Sequence, residues 1–149
     1  MINTSAKTIA IDFDGTIVEH KYPQIGDQML FAFSTIKALQ GKGHKLILWT
    51  YRSGKYLEEA VEYCKKNNVE FYSINENYPN EVIEPGYSRK LNADIFIDDR
   101  NVGGFLGWDT IWQTLHPEGK EFSHTLKNPK AHTNYKKRKP NLFRYLFRL

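Results

Sequence analysis

The chain has 149 residues, 40% of them hydrophobic, which suits one folded domain with an ordinary core and is too apolar for a disordered chain. Cys64 is its only cysteine, so an internal disulfide and a cysteine-rich zinc site are excluded. The net charge of +4 is uneven: eight of the 21 Lys and Arg but none of the 17 Asp and Glu lie from Lys127 onward, which leaves the first 126 residues at −4.

Residues 8–13, TIAIDF, are short, β-branched and bounded by a turn glycine, which predicts a buried strand. Residues 27–40 place Met29, Leu30, Phe33, Ile36 and Leu39 at helical spacing and stop at Gly41 and Gly43. HKLILWT, residues 44–50, predicts a second buried strand. Ser53 is then the expected cap of a helix running to about Asn67. Its first turn is expected to hold Glu58 and Glu59, where the helix dipole favours anions, and its inner face Leu57, Val61 and Cys64. EFYSIN, residues 70–75, is expected as a third strand, and the Pro-, Asn- and Gly-bearing residues 76–90 as a loop. ADIFIDD, residues 93–99, predicts another apolar strand, and GWDTIWQTL, residues 107–115, a short helix before Pro117.

Strands alternating with helices predict an α/β domain over residues 1–119, with a parallel sheet and crossover helices on its faces. Residues 120–149 are polar and basic and end on the amphipathic NLFRYLFRL; this extension is expected to pack on the domain or to mediate contacts. The N-terminus shows no apolar signal-peptide core and no run approaches ~20 apolar residues, so a soluble, cytoplasmic protein without a membrane span is expected.

In a parallel α/β sheet, ligands bind outside the carboxyl ends of the strands. Three predicted strands end there on polar groups: Asp12 and Asp14, Thr50, and Asp98 and Asp99. The two-residue period sends Asp12 and Asp14 to one side while Phe13 points into the core, and Gly15 permits a sharp exit. Four carboxylates on one edge need compensating positive charge. A hard divalent cation held by oxygen ligands supplies it, Mg²⁺ where a phosphate shares the site, and Lys90 can add a further charge. A calcium-binding EF-hand loop is excluded, because Ile17 and Pro23 stand where its glycine and glutamate are required.

DFDGT at Asp12–Thr16, LILWT ending on Thr50, Lys90, and IFIDD ending on Asp98 and Asp99 resemble, in order, the four motifs of the haloacid dehalogenase-like superfamily of Mg²⁺-dependent phosphohydrolases. The resemblance implies a three-layer Rossmann-like fold, with a central, mainly parallel sheet and helices on both faces. It implies that Asp12 is the nucleophile that forms an aspartyl-phosphate and that Asp14 moves protons to the leaving oxygen and from water. Asp12, Asp99 and the backbone carbonyl of Asp14 would hold Mg²⁺, with Asp98 a further ligand or a partner of one. Thr50 and Lys90 would hold the transferred phosphoryl oxygens. Arg89, adjacent to Lys90, and Lys55 compete with it for that place. Gly15, Thr16, Tyr51 and Arg52 complete the expected substrate side, Arg52 at a phosphate. An aspartate at position 14, where the family's ATP-driven pumps carry threonine, favours a phosphatase, although phosphomutases share it.

Only 12 residues separate Asp14 from Asp27 and 39 separate Thr50 from Lys90, so no cap domain is expected. An open site suits a large phosphorylated substrate, such as a macromolecule, or closure by a second copy of the chain. IDDRN at Ile97–Asn101 resembles the phosphatase half of polynucleotide kinase-phosphatases and, with the basic extension, keeps nucleic-acid ends and nucleotides among the candidate substrates. A receiver-like domain that only accepts phosphate on aspartate is the competing reading. His20 and His44 are read as surface or structural. The rings of Trp49, Tyr51, Trp108 and Trp112 are read as packing ahead of stacking on substrate.

Overall fold

The computed structural model describes residues 5–117; the expected extension at 120–149 lies outside them. Strand β1 (Thr8–Ile11) is followed by helix α1 (Ala32–Gly41), β2 (Lys45–Leu48), α2 (Gly54–Lys66), β3 (Ser73–Ile74), β4 (Ile95–Ile97) and α3 (Trp108–Leu115). The four strands form one sheet in the order β3-β2-β1-β4, and every pair is parallel. The molecule is therefore α/β, as the alternation of elements predicts.

β1 is the centre of this sheet. Ile9, Ala10 and Ile11 are buried, as a strand covered on both faces requires, and they register with Leu46, Ile47 and Leu48 on one side and with Ile95, Phe96 and Ile97 on the other. Ala10, Ile47 and Leu91 pack together with Trp49 and Ala93 against them. Phe13, just past β1, meets Tyr63 of α2 edge-on at 6.2 Å, and Tyr63 in turn meets Phe33 of α1 at 5.8 Å.

The elements differ from the sequence expectation mainly at their ends. Helix α1 starts at Ala32, not Asp27, because the preceding backbone is already engaged. The Glu19 N–H donates to the Asp27 carbonyl at 2.8 Å, the Met29 N–H to Ile17 at 2.9 Å, and Val18 pairs antiparallel with Gln28. Phe31 then takes a left-handed turn (φ 63°) into the helix. Ser53 does precede α2, with extended backbone, but its side chain makes no capping bond. With the helix beginning at Gly54, Glu58 and Glu59 fall beyond the first turn, and Lys65 and Lys66 are the residues that match the dipole at its other end. Ala60 and Cys64 are its buried positions, and Leu57 and Val61 are half-buried.

A second compact unit begins at Leu106 and contains α3. Within it Trp108 and Ile111 are buried, and the Trp112 and His116 rings lie 4.3 Å apart. No helix among the described residues is long and apolar enough to cross a membrane.

Candidate active site

Successive strands are added on one side of β1 as β2 and β3, whereas β4 joins on the other side. The chain thus reverses direction of growth between β1 and β4, and the crevice at their carboxyl ends is where such sheets bind ligands. Asp12 follows β1 directly, and Asp98 and Asp99 follow β4 directly. The Asp12 N–H donates to the Ile97 carbonyl at 2.9 Å, so the two acidic segments are tied by backbone at the point where the strands end.

The turn after Asp12 is compact. The carbonyl of Phe13 accepts from the N–H groups of Thr16, Ile17 and Val18, and the Gly15 N–H donates to Val18 at 2.7 Å. Gly15 has φ +89°, and a side chain there would collide with the Asp99 carboxylate. The glycine is what lets the β4 acid close in on the turn. Thr16 is fully buried and its hydroxyl donates to Asp12 Oδ2 at 3.2 Å. Gly15 and Thr16, expected on the substrate side, adjoin the acids in this way and are not among the residues that line the pocket over them.

One carboxylate oxygen from each of Asp12, Asp98 and Asp99 lies within 4.8 Å of the other two. Burial, foremost, pushes the Asp12 carboxyl up from 3.8 to about 7; the charges of Asp98 and Asp99 add to this, against hydrogen bonds from the Phe13 N–H and Thr16. Asp99 Oδ1 is buried with no hydrogen-bond partner among the described residues. An all-oxygen donor set with an orphaned buried oxygen and mutual repulsion fits a hard divalent cation such as Mg²⁺. Asp98 is oriented by its own turn, accepting from the Arg100 N–H at 2.8 Å, while its carbonyl accepts from the Asn101 side chain.

Asp14 belongs to a different arrangement. Its two oxygens are gripped by Arg52, Nε to Oδ2 and Nη2 to Oδ1, both at 2.7 Å. The Arg52 side chain has no exposed surface, and it also donates to the carbonyls of Pro23 and Gln24 at 2.9 Å. Its guanidinium lies 5.1 Å from the Phe13 ring centroid and 5.2 Å from that of Tyr22. Arg52, expected at a substrate phosphate, is instead an internal peg that joins the exit of β2 to Asp14 and to the loop before α1.

A pocket of about 520 Å³ opens over the acids, lined by Asp12, Asp14, Asp98 and Thr50 together with His20, Tyr22, Trp49, Tyr51 and Arg100. Thr50 donates its N–H to Asn75 Oδ1 at 2.8 Å, and its hydroxyl accepts from the Arg52 N–H at 3.2 Å, which leaves the hydroxyl proton for another acceptor. Lys90 is not among these residues. It is exposed on the loop before β4 and lines a separate hollow with Tyr78, Glu81 and Tyr87. His20, Tyr22, Asn75 and Arg100 were not singled out as site residues from the sequence. Asn75, at the end of β3 with φ 55°, carried one signal, since asparagine is the residue that tolerates the left-handed region and bonds neighbouring backbone.

No protein-family model matches the chain, and neither does any curated protein. Among solved structures, a conserved protein from Bacteroides thetaiotaomicron is similar to it, with 53% identity and a TM-score of 0.72 over 76% of this chain and 92% of that one.

Proposed function

The chain belongs to the family of that conserved Bacteroides thetaiotaomicron protein, and from the motif order and the chemistry of the site we propose that it is a Mg²⁺-dependent phosphomonoester hydrolase of the haloacid dehalogenase-like superfamily. The observation that carries the reading is the meeting of Asp12, Asp98 and Asp99 at the ends of β1 and β4, with Thr50 lining the same pocket. A three-layer, capless Rossmann-like fold is part of the proposal, supported by the all-parallel sheet and the short segment between the first motif and α1.

The carboxylates of Asp12, Asp98 and Asp99 and the carbonyl of Asp14 are the groups that would hold Mg²⁺, which when bound supplies charge neutralisation for a phosphoryl group. A carboxylate oxygen of Asp12 attacks phosphorus as the bond to the leaving oxygen breaks, giving an aspartyl-phosphate. The Thr50 hydroxyl donates a hydrogen bond to a phosphoryl oxygen. Asp14 gives a proton to the leaving oxygen and takes one from the water that attacks the aspartyl-phosphate. Both of its oxygens accept from Arg52 here, so the protonated form that serves the leaving oxygen has one bond of that fork open. The bond closes when the proton leaves and opens again when water gives one back, while the Pro23 and Gln24 carbonyls keep the guanidinium in place. Arg100 is the exposed cation that lines the pocket beside Asp12, and in this reading it faces the phosphate from the solvent side.

The test is phosphate release by the purified full chain from a panel of phosphomonoesters, with Mg²⁺ and with a chelator, beside Asp12→Asn. Mg²⁺-dependent release that falls by about 10³-fold or more in Asp12→Asn is expected. Turnover indifferent to both changes overturns the assignment, and a long-lived aspartyl-phosphate without turnover replaces it with the receiver-like reading.

A further inference from the structure

The pocket over the acids is also lined by three aromatic side chains, which phosphoryl transfer itself does not call for. Tyr51, the residue after Thr50, is 94% exposed, so its ring contributes almost nothing to the core. Trp49, on the other side of Thr50, is half-buried and lines the same pocket. Tyr22 is 44% exposed and comes from the loop before α1. That ring is not loose. Tyr56 of α2 meets it edge-on at 5.7 Å, the buried Arg52 guanidinium lies against it at 5.2 Å, and Arg52 also binds the carbonyls of the next two residues, Pro23 and Gln24.

The exposed rings of Tyr51 and Tyr22 forgo burial that a packed ring would gain, and they present flat apolar faces with polar tips at low entropic cost, while Trp49 has part of its surface packed on the core. Two of these rings belong to the chain neighbours of Thr50, whose hydroxyl is expected on the phosphoryl group, and the third lies against the same arginine that grips Asp14. A volume of about 520 Å³ lies within the range of small-molecule sites. A phosphate beside Asp12 would fill a small part of it, and Tyr22, Trp49 and Tyr51 are among the side chains that line the pocket.

We propose that the substrate of this site is a small phosphomonoester whose leaving group carries a flat aromatic ring, a nucleobase being the representative chemistry, and that Tyr51, Trp49 and Tyr22 stack on that ring. The proposal deepens the phosphohydrolase reading and rests on it for the position of the phosphate. It turns the loop before α1 into a substrate wall and makes Tyr51 a selectivity residue whose removal leaves the fold intact.

Two measurements keep the substrate class and the reaction apart. In the first, Asp12→Asn protein with Mg²⁺ is titrated calorimetrically with adenosine 5′-monophosphate, phenyl phosphate and glycerol 3-phosphate, in the presence and absence of Tyr51→Ala. The ring-bearing probes should bind about tenfold to a hundredfold more tightly than glycerol phosphate, and Tyr51→Ala should bring the ratio close to one. Equal affinities, or a ratio that survives Tyr51→Ala, overturn the stacking proposal. In the second, the same three compounds are assayed for kcat/KM with the wild-type chain. The order of preference should match the order of affinity; a preference for glycerol phosphate overturns the proposal. Ring-selective binding with no turnover of any compound overturns the hydrolase reading and leaves the ring site standing.

Discussion

Asp12 and Asp14 stand two residues apart in the chain and in opposite electrostatic surroundings. Asp14 is matched by a buried guanidinium, oxygen for nitrogen, in a closed set of hydrogen bonds. Asp12 faces two further carboxylates across less than 5 Å, with Asp99 Oδ1 buried beside it and unpartnered among the described residues. The first arrangement is complete within the protein. The second is destabilising as it stands and needs something from outside. Two acids of one motif thus separate into one matched by the protein's own cation and one left unsatisfied, and the difference is made by what β2 and β4 bring to each.

Breaking the satisfied half should have the largest effect on stability. Arg52→Ala leaves the Asp14 carboxylate, whose side chain is only 12% exposed, without its partner and two loop carbonyls without their donor. A loss of about 3–5 kcal/mol is expected in urea unfolding. Arg52→Lys should recover only part of it, because an ammonium cannot make the two-pronged contact.

Relieving the unsatisfied half should act in the other direction. Asp12 holds its proton up to about pH 7 in the folded chain against 3.8 ordinarily, so between those values the folded state binds the extra proton and stability falls as pH rises. Without divalent cation, Asp12→Asn should therefore raise the melting temperature above wild type by about 2–5 °C near neutral pH. That gap should narrow toward pH 4, roughly where the unfolded group also protonates. Adding Mg²⁺ should narrow it as well, by stabilising wild type and not the variant. A gap that is constant across pH would place the repulsion elsewhere.

The smallest effect belongs to an ion pair of neither kind. Lys21 reaches Asp27 at 3.0 Å and Glu19 at 3.6 Å, all on the surface. Lys21→Ala should leave the urea midpoint unchanged within error, which separates exposed charge pairing from the buried Arg52 contact.

The sheet was legible because its signals are local. β1, β2 and β4 are short apolar runs that each break into polar residues, and that same break located Asp12, Thr50, Asp98 and Asp99. The start of α1 was not legible. Met29 and Leu30 continue the helical spacing, yet Met29 is buried through a pairing with Ile17 that no periodicity encodes, and Leu30 is exposed. Arg52 was missed as an anchor for a related reason. Its partners lie 28 to 38 residues away, and an arginine looks the same in sequence whether it meets solvent or a buried acid. The role of Lys90 was inferred from its order in the chain, and the loop that carries it turns it to another hollow.

The central place of β1 has a consequence for the chain as it is made. One edge of β1 pairs with β2, but the other waits for Ile95–Ile97, which leave the ribosome on the order of ten seconds later at ordinary rates of synthesis. During that interval Ile9, Ala10 and Ile11 present an open, apolar template for any extended segment, including one from a neighbouring nascent chain. The arrival of β4 closes that edge and, in the same docking event, brings Asp98 and Asp99 to Asp12. A chain stalled before that point would carry the sticky edge and lack the acidic pocket, so resistance to aggregation and competence of the site are acquired together.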